Sequence, residues 1–290
     1  MNALLILVFL AGLAILAYPK VSDYWNSFHS SRAIMTYTEA VTGLSAEEYD
    51  HFYSEAEAYN RNIPQRANPF LPSEDEQAQY NALLDVEGNG IMGYIEIPLI
   101  GVAFPIYHGT SESVLQVAIG HLDWSSLPVG GPSTHAVISG HRGLPSAELF
   151  TKIDRLAVGD RFMLYVLDEV LTYKVDQILI VLPEDLSALQ IVPGGDYCTL
   201  VTCTPYGINT HRMLVRGRRV ETEEARTVRV TAEAIPVEPV LVAPVLAVPL
   251  SVGFLGAMSL SDRRRWSERE EHEEENNWPC GILYRTVVSP

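Results

Sequence analysis

Three residues of chemically useful type stand at the borders of strand-like runs in this chain. His141 follows the run His135–Ser139 within Ser139-Gly140-His141-Arg142, Cys203 closes Tyr197–Cys203, and Arg212 opens the run His211–Val220. Together they could carry acyl transfer through a thioester. The thiolate of Cys203 would attack a carbonyl, His141 would move the proton, and Arg212 would hold the developing oxyanion. Thr204-Pro205-Tyr206-Gly207 after Cys203 is a strong turn signal, so the next run returns beside the cysteine. Arg212 lies nine residues beyond Cys203, a spacing that a hairpin closes. Arg216, Arg218 and Arg219 read as ordinary surface arginines, and strand alternation turns His211 away from the face of Arg212.

The other cysteines fit duller roles. Cys198 and Cys203 are five apart, so on one strand they point to opposite faces and cannot bridge. Cys198 suits a buried core thiol. No Cys-x-x-Cys or Cys/His pair stands at zinc spacing, so neither a metal nor any other cofactor is expected. The formal net charge of −16 offers no basic stripe to displace counterions, which argues against a nucleic-acid partner.

The elements that must position these groups are mostly strands. From Gly90 onward, Met92–Ile97, Gly101–Tyr107, His135–Ser139, Arg161–Leu167, Val170–Leu182, Tyr197–Cys203 and His211–Val220 make at least seven short runs. Asp168-Glu169 reads as a hairpin turn. One helix is expected within the series, from Ser146 to about Leu156, with a possible short turn at Pro183–Leu189. This is the pattern of a closed or nearly closed β-barrel. Before it, Val21–Gly43 reads as helical. Ser45 opens a second helix, with Glu48 completing a capping box, to about Asn60, and Ser73 to about Asp85 makes a third. A Pro-rich break between them, Ile63 to Pro72, contains Asn68-Pro69-Phe70.

Both ends are apolar. Ala3–Tyr18 carries no charge and, extended through Pro19 and Val21, approaches the length of a membrane span. A signal peptide is the competing reading, but no basic stretch precedes the run and no A-x-A pattern closes it. Val240–Leu260 is a second uncharged stretch, and Arg263-Arg264-Arg265 behind it puts the C-terminus in the cytosol by the positive-inside bias. Two spans then leave both termini cytosolic and the intervening chain outside. The expected organisation is an anchor at 1–19, helices at 20–89, a barrel at 90–225, a linker at 226–239, a span at 240–260 and a charged tail at 261–290.

The segments LPVGGPSTHAVISGHRGLPSAELF and TLVTCTPYGINTHRMLVRG resemble those of class C, pilus-assembling sortases of Gram-positive bacteria, over roughly Tyr18 to Val220. The resemblance implies an eight-stranded β-barrel that cleaves an L-P-x-T-G-type sorting signal between Thr and Gly. The thioacyl intermediate would pass to a lysine amine of the next pilin subunit. It assigns Cys203 as nucleophile, His141 as general acid/base and Arg212 as clamp. It also implies a lid before the barrel, carrying an Asp-Pro-aromatic motif whose acid pairs with the arginine and whose ring covers the cysteine. Asn68-Pro69-Phe70 is the best match, with a neutral residue in the acid's place, so a latch weakened to a hydrogen bond between Asn68 and Arg212 is expected. A sortase that anchors single proteins to peptidoglycan and a non-catalytic surface scaffold are the alternative functions.

Overall fold

The computed structural model describes residues 2–222 apart from Ala67 and Pro145. The expected linker, second span and charged tail lie outside the described residues. Eight strands form a closed barrel: β1 (Ile91–Ile97), β2 (Val102–His108), β3 (Ile119–His121), β4 (Thr134–Ser139), β5 (Arg161–Val166), β6 (Glu169–Val181), β7 (Asp196–Thr204) and β8 (His211–Arg219). Their order around the barrel is β1-β2-β3-β4-β7-β8-β6-β5, parallel between β2 and β3 and between β4 and β7, antiparallel elsewhere. Closure leaves no free sheet edge. Seven strands fall within two residues of the boundaries expected from the sequence. The eighth, β3, has only three residues, too few for any periodicity to show.

The barrel is filled by alternate side chains. On β7, Cys198 and Leu200 are wholly buried in the interior with Ile95, Phe162 and Val215. The odd-numbered neighbour Val201 faces outward, into a separate apolar cluster with Val137, Leu189 and Leu214. Burial pushes the Cys198 thiol well up, as expected of an inert core cysteine.

His121 of β3 is fully buried between the Tyr80 hydroxyl, at 3.1 Å from Nδ1, and the Ser126 carbonyl, at 2.8 Å from Nε2. Desolvation pushes its pKa down to about 3. The unfolded chain therefore takes up a proton near pH 6.5 that the folded chain refuses until about pH 3. Stability from this group is present above pH 6.5 and is lost on acidification, by about 1.4 kcal/mol per pH unit at most. Urea titrations at pH 7 and pH 5 should show the loss, and His121→Asn should flatten that part of the slope. An equal slope in the variant would assign the acid sensitivity elsewhere.

Among the described residues four α-helices accompany the barrel: α1 (Asn2–Thr42), α2 (Ala46–Asn62), α3 (Glu74–Ala82) and the short α4 (Glu112–Leu115). The capping box at Ser45 and Glu48 forms as expected, and Ser73 and Glu76 form a second. The two expected N-terminal segments are one helix, because α1 runs unbroken through Pro19. Its Leu4–Thr42 portion is long and apolar enough to cross a membrane, and Leu4, Leu5, Leu7 and Val8 are exposed. Farther on, the buried Tyr37 packs on the barrel, accepting from the Leu167 N–H and donating to the Met92 carbonyl.

The helix expected over Ser146–Leu156 is absent. The segment holds turns and one 3-10 turn, Ile153–Arg155. Its N–H groups are committed elsewhere, Glu148 to the Asp23 carboxylate at 2.8 Å and Phe150 to the His141 carbonyl at 3.1 Å. Leu149 adopts φ 37, which no α-helix tolerates. Ala147, Phe150, Ile153 and Leu156 are buried at a spacing that resembles a helical stripe, which is why the sequence misleads here.

Candidate active site

Cys203 of β7 lies directly opposite Arg212 of β8 in the antiparallel ladder. Opposed residues put their side chains on the same face, about 5 Å apart at Cβ. That face is the outside of the barrel, since Val201 and Leu214, one alternation back on each strand, belong to the outer cluster. The hairpin inferred from the nine-residue spacing therefore delivers the pair as expected. Cys203 is half-buried, unlike Cys198.

His141 arrives from the other flank. β4 runs parallel to β7 with Ser139 beside Val201, and the Gly140 N–H continues the ladder to the Val201 carbonyl at 3.1 Å. Two residues beyond Ser139 and Val201 stand His141 and Cys203, so the parallel register leads both residues to the same end of the barrel. The backbone there is held from three sides. Thr202 Oγ1 donates to the Gly140 carbonyl at 2.8 Å, the Phe150 N–H donates to the His141 carbonyl, and Arg142 ion-pairs with Asp154 at 2.6 Å. Arg142 also reaches Thr204 Oγ1 at 3.5 Å, tying the histidine loop to the residue after the cysteine. Sequence reasoning missed Thr202, Arg142 and Asp154. Only the adjacency of Arg142 to His141 and of Thr202 to Cys203 could have marked two of them.

Gly140 has no room for a side chain. A Cβ there would lie 2.7 Å from Phe150 Cδ2 and 2.9 Å from Ile119 Cγ2, both on wholly buried residues. Gly140→Ala should therefore destabilise the fold by about 1–3 kcal/mol. Thermal unfolding of the variant would read this, and an unchanged midpoint would show that Phe150 yields freely.

The Arg212 guanidinium donates through Nη1 to the carbonyls of Asn209 and His211, both at 3.2 Å. Among the described residues no carboxylate pairs with it, whereas Arg216 makes a bidentate ion pair with Asp176 at 2.9 Å. The positive charge of Arg212 is thus left un-neutralised on the face of Cys203. His211 bonds Thr210 Oγ1 and alternates to the other face.

The expected hydrogen bond between Asn68 and Arg212 does not form. Asn68 is exposed, and its Oδ1 accepts from the Phe70 N–H at 3.1 Å, an Asx-turn that satisfies the side chain locally. Phe70 meets Trp124 edge-to-face at 5.1 Å. With Pro69, Trp124, His135 and Leu189 it lines a cavity of about 520 Å³. Trp124 packs against the Val137–Val201 cluster, so Phe70 is linked to the outer cluster through Trp124. Cys203 and Arg212 face one another at one end of the barrel, with His141 beyond the same end of β4, whereas Asn68, Pro69 and Phe70 lie by Trp124.

The barrel thus has cysteine and arginine opposed on two strands and a histidine just beyond the end of a third. The family described as Sortase domain matches residues 95–220. Sortase D of Bacillus subtilis is 30% identical over 160 residues, 54% of this chain and 77% of its own length. The crystal structure of sortase C1 from Streptococcus agalactiae superposes with a TM-score of 0.65 at 52% identity, covering 66% of this chain and all of that one. Sortase C of Streptococcus pneumoniae, whose structure was related to catalysis and pilin substrate specificity, gives 0.59 at 42% identity, covering 66% and 97%. Across curated relatives the chain spans from 40% to 93% of their length. The chain belongs to the sortase family. Its solved structural neighbours include class C sortases.

Proposed function

We propose that this protein is a membrane-anchored cysteine transpeptidase that cleaves an L-P-x-T-G-type sorting signal between Thr and Gly and passes the acyl group to a lysine amine of a pilin subunit. The observation that carries the reading is the opposition of Cys203 and Arg212, with His141 just beyond the end of the strand that pairs in parallel with that of Cys203. In the proposed cycle the Cys203 thiolate attacks the Thr carbonyl, and Arg212 donates to the oxyanion. His141 gives its proton to the departing Gly amine and then takes one from the incoming lysine. The likeness to a sortase C studied for pilin specificity supports the pilin acceptor, and α1 supports the anchor. The sequence of 240–260 supports a second span, with both termini cytosolic and the barrel outside.

The test is intact mass spectrometry of the full chain in detergent with an L-P-x-T-G peptide, then with a lysine-bearing pilin peptide. A thioacyl adduct that the lysine peptide discharges into an isopeptide product is expected. An adduct that only diaminopimelate or a peptidoglycan stem peptide discharges would favour single-protein anchoring instead.

As the proposed lid, Phe70 is held mainly by its edge-to-face contact with Trp124, worth about 1 kcal/mol. Phe70→Ala should therefore speed labelling of Cys203 by a methanethiosulfonate about fivefold. Asn68→Asp should leave the rate unchanged, because aspartate also accepts the Phe70 N–H. An unchanged rate in Phe70→Ala would mean that the ring does not limit access.

A further inference from the structure

The structure joins the helix proposed as the membrane anchor to the catalytic end of the barrel. α1 lies along the barrel from Asn26 and Asp23, at the loop that follows His141, to Tyr37, at the opposite β5–β6 hairpin. Asp23 accepts the Glu148 N–H at 2.8 Å, and Asn26 donates to the Ser146 carbonyl at 2.6 Å. The fourteen helical rises from Asp23 to Tyr37 span about 21 Å. Preceding turns of α1 consequently project past the barrel at the end where β4, β6 and β7 finish and where Cys203 and His141 stand. A hydrocarbon core needs about 20 helical residues, and counted from Leu4 that stretch ends at Asp23.

We infer that the catalytic end of the barrel rests on the lipid bilayer, with the β7–β8 turn, Tyr206-Gly207-Ile208, in the headgroup interface. Tyr206 and Ile208 are 61% and 68% exposed, large apolar side chains at the tip of a turn. Leu182, just beyond the end of β6, is exposed on the same rim. Tyr206 lines a cleft of about 310 Å³ whose other wall is Pro19, Lys20 and Asp23 of α1, so the turn lies level with the exit of the helix from the apolar stretch. Tyr18, Tyr24 and Trp25 are exposed on α1 at that same level, the residue types that collect at membrane interfaces. The chain's net charge of −16 makes attraction to anionic lipid an implausible driving force, so the contact is apolar. It places the thiol within a headgroup's depth of the membrane, where a substrate tethered close to its cleavage site can reach it without leaving the bilayer.

The inference rests on α1 being a membrane span, and its test separates the two. Spin labels are placed singly at Leu10, Ile208 and Asp168 of the full chain, in a background carrying Cys203→Ala and Cys280→Ser, with Cys198 left buried. Collision with oxygen and with a water-soluble nickel chelate is then measured in phosphatidylcholine nanodiscs. The expected result is hydrocarbon depth at Leu10, headgroup depth at Ile208 and full water exposure at Asp168 on the far hairpin. Ile208 as water-exposed as Asp168, with Leu10 still in hydrocarbon, overturns the docking and leaves the anchor standing. Leu10 in water overturns both.

Discussion

Cys203→Ala should abolish the thioacyl adduct and lower transfer of a sorting peptide by at least about 10⁴-fold, while the protein stays folded. Cys203 is half-buried on the outer face, so removal of its sulfur opens no cavity in the barrel interior. Its proposed contribution is chemical. Without the thiol the carbonyl meets only solvent, and the charge on Arg212 has no tetrahedral adduct to stabilise. When the members of a catalytic unit act together, removal of the nucleophile alone costs nearly the whole rate. Cys203→Ser is expected to fall almost as far, because a serine hydroxyl needs a stronger base than a cysteine thiol to become a nucleophile.

Cys198 supplies the internal contrast. It sits five residues earlier on the same strand but inside the barrel, wholly buried. Cys198→Ala should lose stability through the small cavity it leaves and keep the adduct. Intact mass after incubation with an L-P-x-T-G peptide reads both variants. An adduct of unchanged mass on Cys203→Ala would remove Cys203 from the mechanism and point to another nucleophile.

How far this arrangement could be read in advance depends on the range of the interaction concerned. The ladder that sets Cys203 against Arg212 is local: two β-runs, one turn signal and a spacing of nine fix it. The placement of His141 is not local. It depends on β4 pairing with β7 across more than 60 residues of intervening chain, which no spacing encodes. There the likeness to class C sortases carried what periodicity could not. The loop after His141 departs from the expected helix because its apolar residues mimic a helical stripe while amide protons of Glu148 and Phe150 go to Asp23 and to His141 itself. The Asn68 latch failed for a related reason. An Asx side chain beside its own turn finds the Phe70 N–H two residues away before it finds a guanidinium across the molecule. Propensity and pattern thus register the elements, whereas hydrogen bonds between distant segments fix the final pose of the site.

The second large effect is expected at Arg212. Arg212→Ala should lower kcat for peptide transfer by about 10²–10³-fold, the usual cost of one oxyanion donor. The rate at which a small methanethiosulfonate labels Cys203 should stay nearly unchanged. The separation follows from the geometry. Nη1 of Arg212 is already engaged by the Asn209 and His211 carbonyls, which orient the guanidinium from the turn side. The planar group can then present its remaining N–H donors to the face that Cys203 shares. Arg212→Lys keeps the charge but has neither the fork nor the reach to hold both carbonyls and an oxyanion, so it should recover less than a tenth of the lost rate. A fall in thiol labelling equal to the fall in kcat would show that Arg212 acts by supporting the thiolate rather than the oxyanion. Rescue by lysine to near the original rate would reduce its role to a point charge.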